Sequence, residues 1–180
     1  MVILGIDPSS RGTGYGVVAY DHRRCRCLGS GCVRLREKQS FEDRLVDLHA
    51  RIGALIAEYR PDQAAIESAF YGKDASAAAK LNQARGVLLL ALRQAGLSIA
   101  HYTPAQVKNA VTGNGQATKE QVQYMVSHLL GLRELPRPLD ASDALAVAVC
   151  HTFRPQVRWV GQSGSRRPEV EALLKRMVRR

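Results

Sequence analysis

Four carboxylates stand where a folded chain could gather them. Asp7 closes the apolar run Val2-Ile3-Leu4-Gly5-Ile6, and Glu67 closes Ala64-Ala65-Ile66. Short apolar runs of this kind read as strands, the first of them buried on both faces. In open α/β sheets, ligands bind outside the carboxyl ends of the strands. Asp140 and Asp143 lie three apart at the start of a helical pattern, a spacing that sets both on one face. Four oxygen-donor acids suit Mg²⁺ or Mn²⁺, hard cations that keep some of their water. Two such ions about 3.5–4 Å apart activate a water and stabilise the leaving oxygen of a phosphodiester. Plainer readings stand beside this one. A strand can simply exit into solvent at its acid. An Asp at a helix start is favoured by capping and by the helix dipole, but capping explains one Asp more readily than two on a face that continues into Val147.

The charge balance points to the same chemistry. The chain has 180 residues, a formal charge of +10 and a pI near 9.9. Such a surface suits nucleic acid, because each phosphate neutralised releases condensed counterions. A protein can also be merely basic, since charge speaks to partners and not to fold. Residues 154–180 hold eight basic and two acidic residues, hence +6, and residues 1–153 carry the remaining +4. A basic body presenting an acidic cluster is the arrangement a nuclease needs: the surface holds phosphates, and the acids hold metal against the one to be cut.

The elements that must position these groups follow from pattern. Three short strands, near 2–7, 15–20 and 25–34, are joined by polar turns and suggest a meander. The segment from Pro8 to Gly14 is rich in turn formers. A helix opens at Ser40, with Phe41, Leu45, Leu48, Ile52, Leu55 and Tyr59 on one face, and ends at Pro61. A fourth strand covers 63–67. Residues 74–95 form an Ala/Leu-rich helix with Ala77, Leu81, Ala84, Leu88 and Ala91 in one stripe. Its apolar content wraps more than one face, so its second side meets either a subunit partner or more of its own domain. A fifth strand covers 97–102. Thr103-Pro104-Ala105-Gln106 and Thr118 with Gln121 are helix starts of the capping-box kind. The final helix runs from about Asp140 to Thr152. The order implies an α/β domain over residues 1–153, with a five-stranded mixed sheet flanked by helices on both faces. Residues 154–180 read as a basic, flexible tail.

Other signals bound the location and exclude some chemistry. No apolar run approaches the ~18 residues of a membrane span. The start lacks the basic region and cleavage site of a signal peptide, so the expected location is the cytoplasm. Cys25, Cys27, Cys32 and Cys150 lack the paired knuckles of common zinc sites. Cys25 and Cys27 instead share one face of a strand and stay reduced.

Five segments, in order along residues 1–153, resemble the RuvC family of Holliday junction resolvases. They are Gly5-Ile6-Asp7-Pro8-Ser9-Ser10-Arg11-Gly12-Thr13-Gly14-Tyr15-Gly16, Ala65-Ile66-Glu67-Ser68-Ala69-Phe70, Gln83-Ala84-Arg85-Gly86, Gln106-Val107-Lys108 and Asp140-Ala141-Ser142-Asp143-Ala144-Leu145-Ala146. The resemblance implies an RNase H-like fold and a homodimer that nicks two opposing strands of a four-way junction. The products would carry 5′-phosphate and 3′-hydroxyl ends. It implies Mg²⁺, with Mn²⁺ a substitute and two ions per site, held by the catalytic acids Asp7, Glu67, Asp140 and Asp143. Phe70 matches an aromatic near the junction centre, able to stack on an unpaired base, although a core Phe is the simpler reading. Lys108 and Lys119 match basic residues near the active site, or are solvated lysines at helix starts. Lys80 and Arg85 are further candidates for contacts to the DNA backbone. The helix over 74–95 matches the dimer region, and a branch-migration helicase complex of the RuvA–RuvB type is the implied partner. One position departs: Ser9 stands where the family usually has Gly, which leaves open whether the turn beside Asp7 is kept.

Three other functions compete. The hairpin from Gly5 to Gly16 could bind phosphate in an actin-like ATPase, but no second glycine-rich hairpin follows and 180 residues cannot hold two lobes. A non-catalytic junction-binding protein would lack one of the acids. A ribonuclease acting on RNA–DNA hybrids shares the fold and the metals, and only a comparison of substrates separates it.

Overall fold

The structure, a computed structural model, describes residues 1–9, 12–22, 24–35, 38–68 and 74–153. Phe70 and the basic tail at 154–180, both singled out in the sequence, lie outside the described residues. Five strands, β1 (Val2–Pro8), β2 (Gly12–Asp21), β3 (Arg24–Arg34), β4 (Gln63–Glu67) and β5 (Ser98–Tyr102), form one sheet in the order β3-β2-β1-β4-β5. The first three make an antiparallel meander. β4 runs parallel to β1, and β5 parallel to β4. Helices α1 (Phe41–Tyr59) and α2 (Ala75–Gln94) cover one face, packing Leu48, Ile52, Leu88 and Leu92 against Leu4, Ile6, Val17 and Ile66. Helices α3 (Pro104–Thr112), α4 (Lys119–Leu129) and α5 (Leu139–Thr152) build the other core with Ile3, Val18, Ala65 and Tyr102. The mixed sheet with helices on both faces is the architecture expected from the element order.

Local signals explain most boundaries. Ser40 accepts from the Asp43 amide to open α1, and Thr103 and Thr118 each complete a reciprocal capping box. Asp74 caps α2 by accepting from Ser76 and Ala77, a cap the sequence reading did not single out.

Two expectations change. The segment from Gly12 to Gly14, read as turn, is strand: Gly14 pairs with Asp7 on one side and Cys32 on the other. The reason lies above the sheet. Gly5, Gly14 and Gly16 all face α5, and a side chain on any of them would enter its backbone. An added Cβ at Gly5 would collide with the Ala144 carbonyl and sit 2.7 Å from the Ala148 nitrogen; at Gly14 it would collide with the Asp140 carbonyl; at Gly16 it would sit 2.6 Å from the Leu145 nitrogen. These glycines are a bed for the helix rather than turn residues.

The stripe assigned to α2 is also only half buried. Leu88, Ala91 and Leu92 enter the core, but Ala77 is exposed and Leu81 and Ala84 are partly so. The first half of α2 overhangs the sheet and has no covering element among the described residues.

The glycine bed makes a stability prediction. Gly5→Ala must push α5 off the sheet and should cost about 3 kcal/mol. Gly53→Ala, at a mid-α1 position with nothing within 4 Å, should instead stabilise by about 0.5–1 kcal/mol. Urea unfolding of both variants beside the parent chain measures the difference.

Candidate active site

Strand alternation brings the first two acids together. On β1, Ile3 and Gly5 face α5 whereas Leu4 and Ile6 face α1 and α2, so Asp7 points toward α5. On β4, Ala65 faces α5 and Ile66 the other core, so Glu67 also points toward α5. The parallel register pairs Gly5 with Ala65 and Ile6 with Ile66. Asp7 and Glu67 are therefore the next rank on neighbouring strands, about 5 Å apart at the backbone.

The other two acids arrive on α5. Its N-terminus rests on Gly14, the strand partner of Asp7, which sets Asp140 beside Asp7. Helix capping does not explain these residues: the N-cap is Pro138, and α5 has no side-chain cap hydrogen bond. Asp143 lies one turn further along α5 and accepts from Lys119 Nζ at 3.0 Å. Asp140 Oδ2 accepts from the Cys32 thiol at 3.6 Å.

Burial and mutual repulsion set the protonation of this group. Asp7, only 9% exposed, is pushed up from 3.8 to about 8, first by burial, then by Glu67 and Asp143; Lys119 works against this and Asp140 adds to it. Glu67 is pushed up from 4.5 to about 7 by burial and then by Asp143, while Lys119 and Lys108 pull it down. The Lys119 ammonium is itself held above its ordinary range, chiefly by its hydrogen bond to Asp143. Among the described residues, no three His, Cys, Asp or Glu side chains close into a ready metal cage. The donor set nevertheless fits a hard divalent cation. It consists of one buried and three half-buried carboxylates, and among the described residues the cation they engage directly is Lys119.

The remaining candidates divide. Lys108 and Lys119, at α3 and the start of α4, lie close enough to act on Glu67. Lys80 is exposed on the overhanging part of α2, and nothing in the described structure brings it to the acids. Arg85 lies on the α1–α2 face, where its Nη2 donates to His101 Nδ1 at 2.9 Å. Burial, and then Arg85, lower the His101 pKa. Ser9 keeps the turn: its amide and hydroxyl both donate to the Gly12 carbonyl, at 2.9 and 3.0 Å. Among the described non-glycine residues only His22 and Arg60 have positive φ, so the backbone at Ser9 does not need a glycine. Cys25 and Cys27 pack against the α5 core on one face, as the alternation predicts. Cys32 was not singled out as a site residue. A β-bulge that skips Leu28 turns it to the site; Gly29, the glycine that follows Leu28 within the strand, is the sequence signal that could have located it.

Comparison with known proteins accords with this geometry. The family model for crossover junction endodeoxyribonuclease RuvC matches residues 3–151. A crossover junction endodeoxyribonuclease RuvC from Moorella thermoacetica is 48% identical over 156 residues, covering 86% of this chain and 93% of that one. Its counterpart from Chlorobium phaeovibrioides is 46% identical over 155 residues, covering 86% and 82%. Among solved structures, Thermus thermophilus RuvC in complex with Holliday junction substrate superposes with a TM-score of 0.80 at 38% identity, covering 85% of this chain and 93% of that one. The fold, the five motifs in register and matches that span nearly the whole domain agree: this chain belongs to the RuvC family of crossover junction endodeoxyribonucleases.

Proposed function

We propose that this chain resolves four-way DNA junctions by paired, metal-dependent nicks, with Asp7, Glu67, Asp140 and Asp143 holding the metal. The observation that carries this reading is the meeting of four acids from β1, β4 and α5 at one end of the sheet of a basic protein. Mg²⁺, two ions per site, is the fitting cofactor for an all-oxygen set, with Mn²⁺ its substitute. When bound, such ions supply Lewis-acid activation of water and of the scissile phosphate.

The chain's own residues do the rest. The acids set the cation positions relative to the sheet end. Lys119 is held protonated beside Asp143, so it can neutralise charge and give a proton to the departing 3′ oxygen. Lys108 flanks Glu67 and neutralises a phosphate on that side. No covalent intermediate is needed, and the products carry 5′-phosphate and 3′-hydroxyl ends. Residues 1–153 form the nuclease domain. Two symmetric nicks require two sites, and two features of α2 support a homodimer: its first half is uncovered among the described residues, and its second half forms an open groove with α1, lined by Phe41, Leu45, Val87 and Leu90. Phe70 stacks at the junction centre, and Lys80 and Arg85 reach the flanking backbone. Among the described residues no helix is long and apolar enough to cross a membrane. We place the protein in the cytoplasm beside a branch-migration helicase complex.

The first test offers labelled four-way junction, linear duplex and RNA–DNA hybrid to the protein with Mg²⁺. Paired symmetric nicks in the junction alone are expected, reduced about 10³-fold in Asp7→Asn while junction binding persists. Binding without cutting, even in Mn²⁺, would leave a binding module; preferred cutting of the hybrid would make it a ribonuclease.

Burial of the acids predicts two pH effects. In the metal-free protein, Asp7 titrates near 8 when folded and near 3.8 when unfolded, so between those values the folded state binds more protons. Stability therefore falls as pH rises from about 4 to about 8. Asp7→Asn removes this loss: in EDTA it should be more stable than the parent at pH 8, by a few kcal/mol at roughly 1.4 kcal/mol per pKa unit. The gap should close toward pH 4, as urea unfolding across pH would show. Mg²⁺ must also displace protons from Asp7 and Glu67. Calorimetry at pH 7 in buffers of different ionisation enthalpy should show net proton release, and affinity should rise from pH 6 to pH 8.

A further inference from the structure

The strand β3 enters the site through a change of face. Before the bulge, Cys25 and Cys27 face α5, with Cys25 Sγ 3.6 Å from Thr152 Oγ1, and Arg24 and Arg26 point the other way. The register then jumps: Val17 pairs with Gly29 but Val18 with Cys27, and Leu28 has no partner. Beyond that point the parity is reversed. Cys32 faces α5 and donates to Asp140, and Arg34, two residues on, faces the same way. Without the bulge Arg34 would share the face of Arg24 and Arg26. Bulges next to active sites serve to re-aim a side chain in this manner.

Arg34 closes β3 at the pole where Asp7 closes β1, paired with Gly12. It stands about 7 Å along the strand from Cys32, whose thiol touches Asp140. It is exposed, and among the described residues no carboxylate pairs with it. Lys108 and Lys119 flank the acids from the Glu67 side. Three strand spacings, about 14 Å, separate Arg34 from Glu67 across the order β3-β2-β1-β4. An anionic strand crossing four carboxylates is repelled by each of them, and among the described residues Lys108 and Lys119 compensate one flank while Arg34 stands on the other. A guanidinium matches phosphate oxygens bidentately.

We propose that Arg34 is a second phosphate-binding site of this chain. It grips a backbone phosphate neighbouring the scissile one, on the β3 side of the acids, and fixes the direction in which the DNA strand crosses them. The inference rests on the junction-cutting reading and adds a residue outside the five segments that carry the family resemblance.

The test compares Arg34→Gln, Arg34→Lys and Arg24→Gln, the last on the same strand but at the far end and on the other face. Junction binding is titrated in Ca²⁺ over a range of salt, and single-turnover nicking in Mg²⁺ at saturating protein. Arg34→Gln should weaken binding several-fold and flatten the slope of log Kd against log salt by about 0.9 per protomer engaged. Its nicking rate should also fall several-fold, because a strand whose direction is no longer fixed presents the scissile phosphate to the acids less often. Arg34→Lys should keep the salt slope, and Arg24→Gln should match the parent in both assays. Thermal unfolding checks that all three variants fold. An unchanged slope and Kd in Arg34→Gln, or an equal loss in Arg24→Gln, overturns the proposal while the parent still cuts junctions. A parent chain that neither binds nor cuts junctions in preference to duplex overturns the functional reading, and this proposal with it.

Discussion

The close approach of α5 to the sheet is the constraint on which the rest depends. Gly5, Gly14 and Gly16 leave no side-chain layer between strand and helix, so the helix backbone lies on the strand backbone. Ordinary helix–sheet packing interposes side chains and would lift Asp140 and Asp143 away from Asp7. Here the helix is lowered until its first turn is level with the end of β1. Its residues Ala141, Ala144 and Ala148 are small for the same reason, and all three are fully buried. Geometry near the acids is thus determined by backbone contacts, which do not change rotamer, and the site inherits that rigidity.

The same lowering makes the site electrostatically costly. Asp7 loses water to the helix above it and to the strands at either side, and its three acidic neighbours cannot be moved away. In the metal-free chain the group meets this in two ways: it holds protons on Asp7 and Glu67, and it draws the Lys119 ammonium onto Asp143. Both responses are reversible, so the charge of the group changes with pH. The raised proton affinity of Asp7 and Glu67 and the pairing of Lys119 with Asp143 therefore have one origin, the crowding of carboxylates where α5 meets the sheet.

Much of this was legible in the sequence, for identifiable reasons. Asp7 and Glu67 each end a short apolar run, and period-two alternation then fixes which face they take. Asp140 and Asp143 are three apart on a helix, and the absence of a side-chain cap on α5 removes capping as their explanation, although Asp140 still sits in the first turn, where the helix dipole favours an acid. The capping boxes at Thr103 and Thr118 located α3 and α4. What was not legible depends on contacts between distant segments. Gly12 and Gly14 look like turn residues until α5 is laid across them. The stripe on α2 looks like a core stripe until the sheet proves too short to cover Ala77. Ser9 looked like a risk to the turn, yet two hydrogen bonds to the Gly12 carbonyl and a backbone that does not need positive φ accommodate it.

The bulge at Leu28 shows why an edge strand can be part of such a site. β3 pairs on one side only, so a skipped residue disturbs one ladder and no more. A central strand would transmit the same shift to both neighbours and move Asp7 itself. The edge is where side-chain direction can be reset at least cost, and this chain resets it between two cysteines that line the α5 core and a third that touches Asp140. The first half of β3 therefore packs its cysteines against the α5 core and the second half brings Cys32 to Asp140, with Leu28 as the point of division. The division also explains why Arg24 and Arg34, residues of one type on one strand, face opposite sides of the sheet.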